Sequence, residues 1–191
     1  MRSRCEQMQE PMPVMLNSIE PTPSIQLAQG GRVGVAQIVG EFSVLAAVPI
    51  RTGELVFRIE GALVEVPSRF SVQVDEAGHV DLTNGASEAE IILWHPWRFM
   101  NHSCEPNVRI VGREVRALRP ILPGDEITFD YDTTEFEMAE PFSCRCGTAV
   151  CRGWVGGFVH LEPVHRDRLR RLLAPHLLRR MERIDRAAAK A

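Results

Sequence analysis

Short apolar runs separated by turn residues occupy the chain from about residue 32 to residue 129, and this pattern predicts a mostly β body. The predicted strands cover residues 33–39, 42–48, 54–59, 70–74, 80–82, 108–111, 114–118 and 127–129. Gly78, which is free to adopt positive φ, and Gly112 are placed to close two hairpins. So many short strands favour small sheets folded around each other over a doubly wound α/β fold, and no Gly-x-Gly-x-x-Gly follows a strand.

The two ends of the chain differ from this body. Residues 1–28 contain repeated Met and Pro without a helical or strand period, which predicts a flexible arm. Residues 163–186 place apolar side chains at helical spacing between arginines, and Pro175 is expected to kink or split this helix. The apolar stripe is expected to pack on the body or, alternatively, to bind a partner. It consists of Leu169, Leu172, Leu173, Leu177, Met181 and Ile184.

Charge is unevenly distributed along the 191 residues, whose formal net charge is −3. From His160 onward nine basic residues face four acidic ones, a net +5 that leaves −8 for the first 159 residues. An acidic body would attract a cationic peptide, although an ordinary solvated surface has the same composition. Without a global basic surplus, direct nucleic-acid binding is not expected. The charge pattern does not indicate an oligomeric state.

The chain shows no targeting or membrane signal. No apolar run approaches the roughly 18 residues of a membrane span, and the amino terminus lacks a basic start followed by an apolar secretory core. These features predict a soluble intracellular protein with no membrane partner, in the cytoplasm by preference and in the nucleus as the alternative. The length suits one domain.

Three of the five cysteines form the motif Cys144-x-Cys146-x4-Cys151. This motif places three thiolates on a tight loop, and a structural zinc ion requires four ligands in a tetrahedron. A fourth ligand must then come from elsewhere in the chain. A four-thiolate iron–sulfur site and inert buried thiols are the alternatives. An odd number of cysteines, mostly in metal-like positions, agrees with a reducing compartment.

Two further motifs lie close to the cysteines. Asn-His-Ser-Cys occupies residues 101–104, and Gly-Asp-Glu-Ile-Thr-Phe-Asp-Tyr occupies residues 124–131. In this order and spacing, the three motifs resemble the SET domain of protein-lysine methyltransferases followed by its zinc-binding post-SET segment, over about residues 40–160. The resemblance implies small sheets with a knot-like threaded loop, a zinc-bound loop and a C-terminal helix.

The resemblance also divides the chain into four parts. Residues 1–28 are the arm and residues 29–140 the SET-like catalytic domain. Residues 141–160 are the post-SET segment and residues 161–191 the amphipathic helix and tail. The activity implied is transfer of methyl groups from S-adenosylmethionine to a lysine side chain of a protein or peptide substrate. The fourth zinc ligand implied is Cys104, beside Cys144, Cys146 and Cys151.

The same resemblance assigns roles to the site residues. Tyr131, the single tyrosine of the chain, would orient the amine and contact the transferring methyl group. Phe129 matches a position where phenylalanine leaves room for a second or third methyl group. Asn101 and His102 match the residues that hold the amino-acid end and the adenine of S-adenosylmethionine. Trp154 is expected to shelter the adenine or, equally, to pack on the helix that follows.

The chain departs from the family pattern at one place. The family usually begins with Gly-x-Gly, and Glu41 and Ser43 stand where those glycines belong. Glycines there let the backbone approach the cofactor, so the side chains put its amino-acid end in doubt; Glu41 could instead pair with the cofactor's ammonium. The departure permits one alternative, a zinc-containing binding module with weak or no catalysis. A separate alternative is a zinc-dependent nucleic-acid adaptor that uses the arginine-rich final helix, which an acidic body does little to support.

Overall fold

The computed structural model describes residues 24–83 and 85–188, and their strands are short. The strands are β1 (Gln26–Leu27), β2 (Val33–Ile38), β3 (Glu41–Ala46), β4 (Leu55–Arg58), β5 (Ala62–Val64), β6 (Val72–Gln73), β7 (His79–Asp81), β8 (Asn101–His102), β9 (Val108–Val111), β10 (Glu114–Ala117), β11 (Thr128–Phe129), β12 (Phe142–Ser143) and β13 (Trp154–Val155). The helices are α1 (Glu88–Trp94), α2 (Pro163–Leu169) and α3 (Pro175–Ala188). The mostly β body is therefore confirmed, as five small sheets among the described residues.

The first sheet has the order β1-β2-β3 and is antiparallel. Val39 and Gly40 turn the β2–β3 hairpin with φ of 51° and 86°, so both residues lie in the left-handed region that a two-residue hairpin turn requires. Strand β1 lies within the stretch predicted as a flexible arm. The folded body thus includes residues that the prediction assigned to the arm, whereas residues 1–23 lie outside the described part of the chain.

The second and third sheets contain the two predicted hairpins. β9 and β10 turn at Gly112, whose φ is 60°, and β4 completes the order β4-β10-β9. β6 pairs with β7 in the order β5-β7-β6. This predicted hairpin is confirmed, although Gly78 does not use the positive φ available to glycine. A side chain closes the turn instead: Asp75 Oδ1 accepts hydrogen bonds from the backbone N–H groups of Ala77 and Gly78 at 3.0 and 2.6 Å.

Helix α1 was not predicted, although its amino terminus carries a recognisable signal. Ser87 and Glu90 form a capping box, in which each side chain accepts a hydrogen bond from the other residue's backbone N–H. Ile92 is the buried residue of this helix. Trp97, in the 3-10 turn that follows, is 2% exposed and donates from Nε1 to the Glu60 carbonyl. The buried Trp97 therefore fixes the turn between α1 and the Asn-His-Ser-Cys motif.

Two distant motifs meet in the parallel pair β8–β11. Asn101 is opposite Thr128, and His102 is opposite Phe129. The hairpin β9–β10 lies between these strands in sequence, so the crossover returns the chain alongside itself. The pairing places the two predicted active-site motifs side by side. The pairing shows that the two segments are neighbours. The knot-like threading of one segment through another stays a prediction.

The carboxyl-terminal segments pack on the body as two further groups. Strands β12 and β13 pair antiparallel and enclose the cysteine loop. The predicted split at Pro175 is confirmed, since α2 ends at Leu169 and α3 begins at Pro175. Most of the apolar stripe packs around Phe158, whereas Ile184 is 40% exposed. Among the described residues, no helix is long and apolar enough to cross a membrane.

Candidate active site

Tyr131 lies two residues after the end of β11, and its side chain is half-buried. Its hydroxyl donates a hydrogen bond to the Met100 carbonyl oxygen at 2.7 Å. Burial raises the pKa of Tyr131 far above its usual value, and the negative charges of Glu135 and Glu126 raise it further. The phenol therefore stays protonated at neutral pH, with its hydrogen directed at the carbonyl and its oxygen lone pairs free for another contact.

Aromatic rings line this tyrosine. The ring centroid of Phe129 lies 4.6 Å away, and those of His102 and Phe142 lie at 5.2 and 5.9 Å. Phe129 is 4% exposed, so the structure brings it beside Tyr131 as the sequence motif suggested. Phe142 was not predicted as a site residue. Its only sequence signal was its position two residues before Cys144.

His102 supports this arrangement from inside the protein. Its Nδ1 accepts a hydrogen bond from the Tyr131 backbone N–H at 3.2 Å, and its Nε2 lies 3.3 Å from Cys104 Sγ. Burial lowers the pKa of His102 to about 4, with the positive charge of Arg152 contributing. The ring is thus neutral at neutral pH. Its side chain is 3% exposed, so the imidazole links the two motifs from the protein interior.

Asn101 gathers three acceptors around its side-chain amide. Its Nδ2 lies 3.0 Å from the Phe42 carbonyl, 3.2 Å from Ser43 Oγ and 2.8 Å from Glu126 Oε1. An amide nitrogen carries two hydrogens, so three acceptors converge where at most two can be satisfied at full strength. The surplus acceptor capacity suits a cationic ligand group. Ser43 is 6% exposed and belongs to this cluster, whereas Glu41 is exposed at the start of β3.

The four predicted metal ligands come together. The Sγ atoms of Cys104, Cys144, Cys146 and Cys151 all lie within 4.8 Å of one another, and those of Cys104 and Cys144 are 3.9 Å apart. Tetrahedral zinc with Zn–S of about 2.3 Å places its sulfurs ~3.8 Å apart. All four are free cysteines in the structure. The spacing therefore fits a single ion, and it favours one ion over an iron–sulfur cluster, whose several atoms hold thiolates further apart.

Burial raises the pKa of the Cys104 thiol to about 11. A thiol of this kind is protonated at neutral pH unless a cation binds it. A coordinating metal deprotonates such a group outright. The chemistry of the donor set therefore agrees with its geometry: the cluster could hold zinc.

Arg152, the residue after Cys151, is a site residue that the sequence did not reveal. Its guanidinium donates to both oxygens of Asp130 at 2.7 and 2.6 Å and to Asp132 at 2.8 Å. The three side chains are between 0% and 7% exposed. Burial opposes the charged form, but the hydrogen bonds and charges of the two aspartates dominate and raise the pKa of Arg152. It stays charged at all accessible pH values.

Trp154 lies at the edge of the cysteine loop and is 44% exposed. Its ring packs edge-on against His160, with centroids 5.3 Å apart, and covers Gly156 so closely that a Cβ there would lie 1.9 Å from the ring. Its packing is therefore with the turn that leads into α2. Phe142, rather than Trp154, joins Tyr131 in contacting the His102 ring, at a centroid distance of 5.9 Å.

Comparison with known proteins agrees with this geometry. Residues 41–132 match the family model described as the SET domain. The match is to the SET domain over this segment, which carries Asn101, Cys104 and Tyr131. The segment also begins at Glu41, where the usual Gly-x-Gly is absent.

Several curated proteins are similar over parts of this chain. Methyltransferase flvH of Aspergillus flavus is 41% identical over 68 residues, which are 34% of this chain and 38% of the relative. The histone-lysine N-methyltransferase ash1 of Drosophila melanogaster is 43% identical over 68 residues, 31% of this chain and 3% of the relative. An H3 lysine-36 specific histone-lysine N-methyltransferase of Coccidioides immitis is 31% identical over 128 residues, 59% of this chain and 13% of the relative. The chain thus spans less than two-fifths of the length of each.

Among solved structures, a KRYPTONITE chain crystallised with mCHH DNA, an H3(1-15) peptide and SAH superposes with a TM-score of 0.48. The two chains are 22% identical over 63% of this chain and 28% of the other.

Proposed function

We propose that this chain is an S-adenosylmethionine-dependent methyltransferase that acts on a lysine side chain of a protein substrate. The observation that carries the proposal is the position of Tyr131 in a segment that matches the SET-domain model. Its hydroxyl hydrogen is committed to the Met100 carbonyl, and its ring is framed by Phe129 and His102. The phenol oxygen is therefore left as an acceptor, which can orient an amine and make CH···O contacts with a methyl group.

The cluster around Asn101 supports a site for the cofactor's amino-acid end. The Glu126 carboxylate, Ser43 Oγ and the Phe42 carbonyl all offer acceptors to a cationic group, which an ammonium ion satisfies with three donors. Ser43 replaces a family glycine, and here its hydroxyl contributes to the acceptor set. The side chain that departs from the family pattern thus provides a polar contact in place of backbone approach.

Bound S-adenosylmethionine would supply an electrophilic methyl group next to a positive sulfonium. The lysine amine must be neutral to attack this group, and from a reference pKa near 10.4 deprotonation costs about 4 to 5 kcal/mol at pH 7. An ammonium ion ~4 Å from a positive charge is repelled by roughly 4 kcal/mol at an effective dielectric of about 20, and desolvation adds to this. The chain therefore needs no dedicated base. Tyr131 and Phe129 would orient the amine and exclude water.

The cysteine cluster supports the same site from the other side. Zinc held by Cys104, Cys144, Cys146 and Cys151 would fix the loop between β12 and β13 against the Asn-His-Ser-Cys segment. Trp154 would then flank the cofactor's adenine from the edge of this loop. A peptide substrate would add alongside the body as an extended strand, with its lysine entering from the face opposite the cofactor.

The test is methyl transfer from isotope-labelled S-adenosylmethionine to a panel of lysine-containing proteins and peptides. Because several relatives are named histone-lysine methyltransferases, the panel includes a histone H3 peptide around lysine 36 beside peptides of unrelated sequence. Label that reaches a lysine side chain and disappears with Tyr131→Phe supports the proposal. Zinc-loaded protein that binds no S-adenosylmethionine in isothermal titration overturns it.

The second candidate function is a zinc-containing protein-binding module, which the missing glycines at Glu41 and Ser43 favour. Cofactor titration separates the two functions, because the module needs no cofactor site. Weaker binding of S-adenosylmethionine by Asn101→Ala than by the wild-type protein argues for the enzyme. Peptide binding without any cofactor binding argues for the module.

A further inference from the structure

Arg152 contacts both the cysteine cluster and the residues on either side of Tyr131. Its backbone N–H lies 3.4 Å from Cys104 Sγ, and it directly follows Cys151 in the chain. Its guanidinium holds Asp130 and Asp132, which precede and follow the tyrosine. We propose that Arg152 is a positioning residue that transmits the state of the cysteine cluster to Tyr131. The inference rests on the proposed function for the meaning of that position, but not for its geometry.

The two aspartates determine the path of the backbone at Tyr131. Asp130 Oδ1 accepts from the Asp132 backbone N–H at 3.2 Å, which closes the turn around the tyrosine. Asp132 Oδ1 accepts from the Gly157 backbone N–H at 2.7 Å, which ties this turn to the segment after β13. Arg152 is the cation that both carboxylates share. Its removal would leave two buried like charges facing each other, and the turn would have to relax.

Relaxation of this turn would displace the hydroxyl of Tyr131. The Tyr131 backbone N–H is held by His102 Nδ1 at 3.2 Å, whereas the hydroxyl is held by the Met100 carbonyl at 2.7 Å. The ring therefore spans two fixed points on the neighbouring segment. A shift of the backbone moves the hydroxyl relative to both. The order of effects is then cysteine loop, Arg152, the aspartate pair, and Tyr131.

Arg152 joins the metal-ligand loop to both residues that flank Tyr131. Here one side chain, 7% exposed, bridges two carboxylates 20 and 22 residues away and arises from the residue after a thiolate. Bidentate recognition by a rigid fork fixes orientation as well as distance, which a lysine ammonium cannot do.

The single tyrosine of the chain permits a direct test. Protein grown with 3-fluorotyrosine carries one fluorine label, and its ¹⁹F resonance reports Tyr131 alone. The spectrum is recorded for the zinc-loaded and chelator-treated wild-type protein, and for zinc-loaded Arg152→Gln and Arg152→Lys. Arg145→Gln is the matched control, because Arg145 lies exposed in the same cysteine loop. Metal analysis measures the zinc bound by every sample.

We expect the wild-type resonance to move when zinc is removed. Zinc-loaded Arg152→Gln should move it in the same direction with the metal still bound, Arg152→Lys by less, and Arg145→Gln not at all. If the wild-type ¹⁹F resonance has the same chemical shift with and without zinc, the proposal is overturned. Arg152→Gln that keeps the wild-type resonance also overturns it, as does Arg152→Gln that loses its zinc, since Arg152 would then hold the cluster rather than transmit its state. If Arg152→Gln does not fold, the same criteria apply to Arg152→Lys.

Methyl transfer provides the second readout. A misplaced catalytic group costs about 100-fold in rate, so kcat of zinc-loaded Arg152→Gln should fall by about this factor while its affinity for S-adenosylmethionine changes much less. If the wild-type protein transfers no methyl group, the proposed function fails, and the fluorine spectra still decide the inference about Arg152. An affinity loss as large as the loss of kcat contradicts a positioning role.

Discussion

The backbone N–H of Tyr131 donates a hydrogen bond to His102 Nδ1 at 3.2 Å, and this contact continues the link between β8 and β11 past the end of β11 at the candidate active site. The same imidazole reaches Cys104 Sγ at 3.3 Å. One buried ring therefore links the tyrosine to the cysteine cluster. The candidate catalytic and metal sites form one continuous unit, so changes at either should be detectable at the other.

Replacement of Tyr131 by Phe tests the candidate catalytic group. Loss of a preorganised polar contact of this kind costs about 100-fold or more in kcat, and we expect S-adenosylmethionine affinity to be retained. The Met100 carbonyl would also lose its donor, which costs about 1–3 kcal/mol of folding stability. Steady-state kinetics, isothermal titration and urea unfolding measure the three effects. Wild-type turnover in this variant would remove Tyr131 from the mechanism.

Replacement of Cys151 by Ser tests the metal cluster. Three remaining thiolates cannot complete a tetrahedral site, so we expect loss of zinc, a lower melting temperature and weaker cofactor binding. Elemental analysis and thermal unfolding give the readouts. Cys5→Ser is the matched control, because the fifth cysteine of the chain lies far from the motif in sequence and should not change the metal content. Full zinc content in Cys151→Ser would contradict the four-cysteine site.

The body of the fold was predictable because its strands are specified locally. Apolar runs bounded by turn residues gave β2, β3, β9 and β10 nearly to the residue. Strands β8, β12 and β13 have two residues each and are too short to show a period. Helix α1 was not predicted, although the spacing of Ser87 and Glu90 in the sequence is that of a capping box.

Only those residues of the site that belong to a recognisable sequence motif could be predicted. The four cysteines and Tyr131 stand in recognisable spacing, and the structure brings each of them to the same region. Arg152 could not be predicted, because its partners lie 20 and 22 residues away and its role depends on their burial. The hairpin near Gly78 was predicted, but its closure by the Asp75 side chain was not, because that contact depends on the folded geometry of the turn.

The β2–β3 hairpin contains a strained residue that can be relieved. Val39 has a φ of 51° and is 96% exposed, so a β-branched side chain occupies a left-handed position without any compensating burial. Asn followed by Gly is the preferred pair for this turn. We expect Val39→Asn to raise the free energy of unfolding by about 1 kcal/mol, measured by urea denaturation. A lower stability would show that the turn is held by contacts other than backbone geometry.

His176 gives the fold a specific dependence on pH. It is 2% exposed and donates from Nε2 to the Thr134 carbonyl at 2.7 Å, next to the turn that follows Tyr131. Burial lowers its pKa below the ordinary value of 6.5, although the Thr134 hydrogen bond and the charge of Glu135 oppose this. The folded state therefore favours the neutral ring.

Because the pKa of His176 is lower in the folded state than in the unfolded chain, the stability of the fold falls as the pH falls. The stability that depends on neutral His176 is fully present above about pH 6.5, where the unfolded chain is also neutral, and it is lost as pH falls through the lower pKa of the folded state. Urea midpoints measured from about pH 8 to about pH 5 should decline more steeply in the wild-type protein than in His176→Gln. Gln can keep the hydrogen bond to Thr134 without titrating, so the difference between the two curves isolates this one group. Parallel curves would assign the pH dependence to other residues.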